Sequence, residues 1–93
     1  MRIEFDECKR AMTLAGRGLD FAHAGRIFEG PHFTAEDRRE DYGEPRFITA
    51  GMLDDRVVVL VWTPRGSARR VISLRRANER EQARFQANLH RSG

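Results

Sequence analysis

The chain has 93 residues, one cysteine and a formal net charge of +3, which fits one small domain with a single hydrophobic core. The lone Cys8 excludes an intramolecular disulfide, and the longest apolar run, Val57 to Trp62, is far too short to span a bilayer. No secretory apolar segment follows Met1. These features predict a reduced, cytoplasmic protein with no membrane contact.

The charge is unevenly divided along the chain. Residues 1–55 contain 8 Lys and Arg against 12 Asp and Glu, whereas residues 56–93 contain 9 against 2. A GC-rich coding sequence enriches arginine for reasons unrelated to function, but it does not segregate charge. The basic C-terminal part therefore predicts contact with nucleic acid, with an acidic protein, or with both.

The first thirty residues carry the signals of one strand and two helices. Ile3 to Phe5 predicts the strand. Asp6 is a candidate N-cap for a first helix ending at Gly16, and Asp20 for a second helix stopped by Gly30. Each helix has an apolar stripe, which predicts that both helices pack on a sheet. The stripe of the first helix comprises Cys8, Ala11, Met12 and Ala15, and that of the second comprises Phe21, Ala24, Ile27 and Phe28.

The middle of the chain predicts an antiparallel meander. His32 to Thr34 opens it, and Arg46 to Met52 alternates as a half-buried strand. Val57 to Trp62 is apolar on both faces, which is typical of a central strand. The charge-dense residues 36–41 are expected to form a solvated connection, and Asp54-Asp55 a hairpin turn.

The next strand, from Ala68 to Ala77, carries arginine pairs at both ends. Strand side chains alternate, so one face is expected to hold Ile72 and Leu74. The other face is expected to hold Arg69, Val71, Ser73 and Arg75. Guanidinium groups suit phosphate, although charge at a strand edge also prevents unwanted pairing. Both interpretations stay open on pattern alone.

The last predicted helix begins with Asn78 and Glu81, which resemble a capping box. Its apolar face is thin, with Phe85 and Leu89 as the large members, so a partner is expected to displace or share it. The order β-α-α-β-β-β-β-α predicts an α+β fold. In it, two N-terminal helices pack on a three- to four-stranded antiparallel sheet with a C-terminal helix.

Several kinds of chemistry have no sequence signal. The three histidines and the cysteine do not recur at metal-ligand spacing, so neither a metal nor a cofactor is expected. Gly16-Arg17-Gly18 lacks the spacing and the following lysine of a phosphate loop. Ser73 has no base near it in the pattern and is expected to be a polar strand residue.

The order of segments resembles the BrnT family of bacterial type II toxins, over about residues 3 to 86. The resemblance implies a single BrnT-like toxin domain across residues 1–93 and a RelE-like fold. It is carried by Phe5-Asp6-Glu7-Cys8-Lys9, by Gly18-Leu19-Asp20-Phe21 with Ala24 and Ile27-Phe28, by Asp41-Tyr42-Gly43-Glu44-Pro45-Arg46-Phe47 with Gly51, and best by Arg70-Val71-Ile72-Ser73-Leu74-Arg75-Arg76-Ala77 leading to Arg80-Glu81.

This resemblance implies a metal-independent endoribonuclease. The 2′-hydroxyl of the RNA attacks the adjacent phosphorus, so the protein aligns the RNA and stabilises charge on the phosphoryl oxygens. It also implies neutralisation by a BrnA-like antitoxin encoded beside the toxin, in a complex expected to be a heterotetramer. Contact with DNA is expected only through that complex.

Residue roles follow from the same resemblance. Arg75, Arg70 and Glu81 are the candidate catalytic residues, the two arginines binding phosphate and stabilising the transition state. Arginine stays protonated and is no general base, so Glu81, His32 and Tyr42 are the alternatives for that role. The candidate RNA- or phosphate-binding residues are Arg46, Arg69, Arg76, Arg17 and Lys9.

Two positions depart from the family pattern. Gly16-Arg17-Gly18 stands where the family usually has Lys-His-Gly, and Phe85 stands where it often has tyrosine. If the missing side chains take part in chemistry, the protein is a catalytically impaired module that binds antitoxin and contributes to operator binding and autoregulation. A small nucleic-acid-binding protein outside toxin biology is the third hypothesis.

Overall fold

The computed structural model of the chain describes residues 2–92, with Ser92 as backbone only. The chain order is strand, two helices, four strands and helix, which confirms the predicted order and the α+β class. The elements are β1 (Arg2–Glu4), α1 (Glu7–Arg17), a 3-10 helix (Phe21–Glu29), β2 (His32–Glu36), β3 (Phe47–Leu53), β4 (Arg56–Arg65), β5 (Ala68–Arg76) and α2 (Glu79–Ser92).

The sheet has five strands in the order β1-β5-β4-β3-β2. Strands β2 to β5 form the predicted antiparallel meander, and β4 is central as its double-sided apolar pattern indicates. The prediction of three to four antiparallel strands is wrong in number and in direction, because β1 is a fifth strand and pairs parallel with β5. That pairing joins Arg2 to Ala68, residues far apart in the sequence, and local periodicity does not specify it.

The strand register gives the sheet two faces, since residues directly opposite each other in neighbouring strands lie on the same face. The 3-10 helix packs on face A, and α2 lies on face B, where the ring of Phe85 lies 5.4 Å from that of Phe33. Face A is lined by Thr49, Leu60, Trp62, Val71 and Leu74, and face B by Ile48, Val59, Val61, Ser73 and Arg75.

The second helix of the chain is a 3-10 helix rather than an α-helix. Its buried residues Phe21, Ala24 and Ile27 recur every three positions, which matches three residues per turn. Asp20 caps it as predicted, accepting from the Ala22 amide. A Cβ at Gly51 of β3 would lie 2.6 Å from Ile27 Cγ2, so only glycine permits this close packing.

Helix α1 does not pack on the sheet, contrary to the prediction for both N-terminal helices. It buries none of its residues, and Met12 is 75% exposed. The stripe expected to face the sheet therefore points to solvent; its members are Cys8, Ala11, Met12 and Ala15. No helix among the described residues is long and apolar enough to cross a membrane.

Helix α1 is held at its ends instead. Asp6 accepts from the amides of Cys8 and Lys9, as a predicted N-cap does. The helix continues one residue past Gly16 and ends at Gly18, whose φ of 70° is left-handed. The Arg10 guanidinium donates to both carboxylate oxygens of Asp20, at 2.7 and 3.1 Å, and ties α1 to the start of the 3-10 helix.

Candidate functional site

A β-bulge in β5 decides which of its side chains share a face. Val61 of β4 pairs with Ser73, but the next residue, Trp62, pairs with Val71. Ile72 is therefore left without a partner on β4. An extra residue of this kind breaks the period-two alternation of a strand.

The bulge corrects the predicted faces of β5. Val71 and Leu74 both lie in the core on face A, and alternation before the bulge places Arg69 there too. Ser73 and Arg75 lie on face B. The expectation that Arg69, Val71, Ser73 and Arg75 share one face is wrong, because strict alternation assumes a regular strand.

Arg69 is packed against aromatic rings on face A. Its guanidinium lies 3.7 Å from the ring centroid of Phe28 and 5.1 Å from that of Trp62. Its Nε is buried without a hydrogen-bond partner, and burial lowers the pKa of this guanidinium. These contacts stabilise the end of the core, and they place Arg69 on the face opposite Arg75.

Arg70 and Arg46 do share face B. Arg70 pairs with Thr63 of β4. Arg46 precedes β3, and its carbonyl accepts the Asp37 amide at 2.8 Å, which continues the β2–β3 ladder by one residue. Alternation then places Arg46, Thr63 and Arg70 in one row. The register therefore brings Arg46 and Arg70 onto one face, where β4 separates the two arginine-bearing segments by about 10 Å in all.

The connection between β2 and β3 adds an aromatic group beside this row. The Arg46 guanidinium lies 4.0 Å from the centroid of the Tyr42 ring, a close cation–π contact. Arg46 Nε is 3.7 Å from a carboxylate oxygen of Glu44 and has no hydrogen-bond partner. Stacking on Tyr42 and the nearby Glu44 carboxylate thus orient the Arg46 guanidinium, while its buried Nε has no hydrogen-bond partner.

The same connection contains a buried carboxylate that sequence reasoning missed. Asp37 accepts two hydrogen bonds of 2.8 Å from Arg39, and a 3.3 Å bond from the Tyr42 hydroxyl. Chiefly through Arg39, the pKa of Asp37 is lowered to about 2. The prediction of a wholly solvated connection is therefore wrong for Asp37. The spacing of Asp37 and Arg39, two residues apart, was the local signal that could have predicted this ion pair.

Arg75 is oriented by Glu81 at the junction of β5 and α2. Its two terminal nitrogens donate to the two Glu81 oxygens at 2.7 and 2.8 Å. Glu81 also accepts from the Asn78 amide and donates its own amide to the Asn78 side chain, which confirms the capping box. Glu81 therefore fixes both the start of α2 and the fork of Arg75.

This pairing changes the acid–base character of both partners. The hydrogen bonds from Arg75 lower the pKa of Glu81 to about 2, with the Asn78 amide contributing. The hydrogen bonds to Glu81 raise the pKa of Arg75 in turn, against burial and the positive charge of Arg39, which both lower it. Glu81 is ionised at neutral pH and, with so low a pKa, holds a proton poorly.

The three candidates for a general base do not lie together. Glu81 and Tyr42 belong to face B, whereas His32 pairs with Gly51 on face A. The His32 ring lies 5.2 Å from that of Phe28, and its Nδ1 is 2.8 Å from the Gly30 carbonyl oxygen. His32 is thus separated from Arg75 by the sheet.

Three further predicted phosphate ligands lie at the outer edge of β5 rather than on face B. Arg17 and Arg76 line a concavity of about 480 Å³ together with Arg75. Lys9 and Arg17 line a neighbouring one of about 380 Å³. Arg75 therefore lies where face B meets the outer edge of β5, which carries Arg17, Arg76 and Lys9.

A groove of about 320 Å³ runs between α2 and face B. Phe33, Ile48 and Val59 supply its apolar floor, and Glu81 and Arg84 supply charge from α2. Apolar surface beside guanidinium groups suits an unstacked base next to its phosphate. The groove therefore extends the arginine row into a surface with places for both parts of a nucleotide.

Face B thus gives this small α+β protein a set of guanidinium groups of the kind that suits phosphate. Among residues 2–92, no three His, Cys, Asp or Glu side chains form a group that could hold a metal ion.

Comparison with known proteins agrees with this class. A family model described as ribonuclease toxin, BrnT, of type II toxin–antitoxin system matches residues 5–81. The chain belongs to this family, and the resemblance seen in its sequence is confirmed. No curated protein matches the chain.

The depressed pKa values predict how stability depends on pH. Asp20, Asp37 and Glu81 each have a folded-state pKa of about 2, below their ordinary values. Their contribution is complete above the unfolded-state pKa values and is lost as pH falls towards 2. We expect a nearly constant Tm between pH 7 and 5 and a steep fall below about pH 4.5, measured by circular dichroism.

Glu81→Gln supplies the matched comparison. Glutamine still accepts from the Asn78 amide, so the capping box survives while the charge is removed. The Tm of the variant should fall less between pH 4.5 and 2 than that of the wild type, because one of the three carboxylates no longer titrates. An equal loss of Tm between pH 4.5 and 2 in the two proteins would show that the Arg75–Glu81 pair adds nothing to stability.

Proposed function

We propose that this toxin cleaves RNA on face B without a metal ion. The observation that carries the proposal is the shared placement of Arg46, Arg70 and Arg75 on that face, with Arg75 held by two hydrogen bonds to Glu81. Three guanidinium groups match the charge that develops on phosphoryl oxygens.

The proposed reaction is an internal displacement in the RNA. The 2′-oxygen forms a bond to the adjacent phosphorus as the bond from phosphorus to the 5′-oxygen breaks. The 2′-hydroxyl proton leaves to a base, and the 5′-oxygen takes a proton from solvent water. The products carry a 2′,3′-cyclic phosphate and a 5′-hydroxyl. Arg75 and Arg70 bind the non-bridging oxygens, and Arg46 binds a neighbouring phosphate.

The acceptor of the 2′-hydroxyl proton is proposed from the positions of the candidate side chains on face B. Glu81 is a positioning residue for Arg75, since its carboxylate is occupied by Arg75 and the Asn78 amide. Tyr42 is the remaining candidate on face B, and its hydroxyl already donates to Asp37 at 3.3 Å. Asp37 is held by Arg39 as Glu81 is by Arg75, and its pKa is likewise lowered to about 2, so Asp37 orients the Tyr42 hydroxyl and is not itself the final proton acceptor.

Incubation of the purified protein with single-stranded RNA in excess EDTA tests both the reaction and its independence of metal. We expect cleavage with cyclic phosphate ends, and no cleavage at a position whose 2′-hydroxyl is replaced by hydrogen. Cleavage that stops in EDTA and returns with added Mg²⁺ contradicts the metal-free mechanism. Equal cleavage of the 2′-deoxy substrate contradicts internal attack.

A second candidate function is a catalytically impaired module that binds antitoxin and contributes to operator binding. The observation in its favour is Arg17, where the family pattern has histidine, because its guanidinium donates to the Leu74 carbonyl at the β5 edge. A stable antitoxin complex together with intact RNA in the assay above identifies this function instead.

The proposed partner is a BrnA-like antitoxin, in a cytoplasmic heterotetramer that reaches DNA through the antitoxin. The whole chain acts as one toxin domain in this proposal. Residues 56–93 carry 9 basic against 2 acidic side chains, so an acidic partner is favoured.

A further inference from the structure

The outer edge of β5 has no strand beside its second half. β1 pairs only with Ala68, Arg69 and Arg70. Within the described part of the chain, residues 71–76 therefore carry main-chain groups that no strand pairs on that side. At about 3.3 Å per residue the free edge is roughly 20 Å long, enough for an added strand of ordinary length.

Two carbonyls of this edge accept from arginine side chains, and Arg75 Nη1 donates to that of Arg76 at 3.4 Å. Arg17 Nη1 donates to the Leu74 carbonyl oxygen at 2.9 Å. The amide and carbonyl of a strand residue point to the same side, so the Leu74 amide also points outward, as does that of Arg76 two residues on. A main-chain donor of an incoming strand can replace the guanidinium at Leu74.

Helix α1 runs beside the edge without filling the space between them. Lys9, Met12 and Thr13 line a concavity of about 380 Å³ together with Ile72 and Ser73 of β5. Met12 is 75% exposed. A large apolar side chain next to a free strand edge is surface that a partner can cover.

The charge around the concavity is positive and uncompensated. Lys9 and Arg17 line it, and Arg76 lies in the adjoining concavity. No carboxylate within residues 2–92 forms an ion pair with any of these three side chains. The complementary occupant is acidic.

We propose that the free edge of β5 binds an extended acidic segment of the antitoxin, which adds a sixth strand to the five-stranded sheet and covers Met12. The proposal rests on the proposed function for its partner, but it concerns a surface other than face B. RNA fits this edge less well, since its backbone cannot continue a main-chain ladder and an exposed methionine offers it little. A peptide strand uses the amides, the cations and Met12 together.

Amide hydrogen exchange, measured by NMR on the toxin alone and bound to the antitoxin encoded beside it, tests the strand directly. We expect exchange at Leu74 and Arg76 to slow at least about tenfold in the complex, because those amides gain main-chain partners. Unchanged exchange at both amides in the bound toxin overturns the proposal. Equal protection by an uncleavable 2′-O-methyl RNA overturns it in favour of RNA.

A pair of variants on α1 tests the side-chain contact. Met12→Glu places a negative charge in the concavity, whereas Leu14→Glu makes the same change about 200° away around the helix. Leu14 is 43% exposed, so both variants are expected to fold as the wild type does by circular dichroism. Met12→Glu should raise the Kd for the antitoxin at least about tenfold, and Leu14→Glu should change it less than about threefold.

The outcomes separate the two proposals. RNA cleavage should be the same in both variants and the wild type, because neither residue belongs to face B. Equal weakening of antitoxin binding by both variants contradicts docking at the β5 edge. A wild-type toxin that does not bind the antitoxin at all contradicts the proposed function instead.

Discussion

Arg75→Ala should lower RNA cleavage by about 10²–10³-fold, the usual cost of removing one preorganised group that stabilises transition-state charge. The side chain lies on face B, and two hydrogen bonds of 2.7 and 2.8 Å to Glu81 fix its fork before substrate arrives. The measurement is single-turnover cleavage of an RNA oligonucleotide. Expression in a bacterial host should no longer arrest growth.

Arg26→Ala is the matched control, because Arg26 is exposed on the 3-10 helix and lies away from face B. It removes the same charge and should leave cleavage within about twofold of wild type, as a surface change away from any site does. Equal loss in both variants would mean that net charge, not Arg75, drives the reaction. Full activity of Arg75→Ala contradicts the assignment of face B.

Much of the fold could be predicted because its elements have strong local signals. Asp6 and Asp20 cap helices as expected, and the capping box of Asn78 and Glu81 forms. Asp54 and Asp55 make the expected hairpin turn, with φ of 52° and 62°. Each of these features depends on residues within a few positions of each other.

The failures concern contacts that local patterns do not encode. The stripe on α1 has the spacing of a buried face, yet Met12 is exposed, because no element of the described chain covers it. Periodicity reports that a surface is apolar without saying which molecule covers it. The proposed antitoxin strand supplies such a cover, and on that view the apolar stripe is a signal of binding rather than of the core.

The candidate site was predictable in its residue types but not in its geometry. Arg70 and Arg75 were candidates through the family resemblance and share face B, whereas Arg69, which the strand pattern placed beside Arg75, lies on the other face because Ile72 is a bulge residue. One extra residue reverses the facing of every side chain on one side of it. Arg46 reaches face B through the ladder bond from Asp37, which joins two segments with no common motif.

Phe85→Ala should lower the free energy of unfolding by about 3–5 kcal/mol. Phe85 is 2% exposed, and its ring lies edge-on to Phe33 at 5.4 Å. The other large apolar residue of α2, Leu89, is only half-buried, so few other contacts hold this helix on face B. A small domain has about 5–15 kcal/mol in total, so the variant should be close to unfolding at 37 °C.

Urea unfolding measures the loss, and Gln86→Ala, an exposed neighbour on α2, should change stability by less than about 0.5 kcal/mol. The loss should extend to activity, because α2 carries the Glu81 carboxylate that orients Arg75. At a temperature where Phe85→Ala is still folded, its cleavage rate should fall while that of Gln86→Ala is unchanged. A stable Phe85→Ala with full activity would show that α2 is not the support of the site, and Arg75 would then need another partner to fix it.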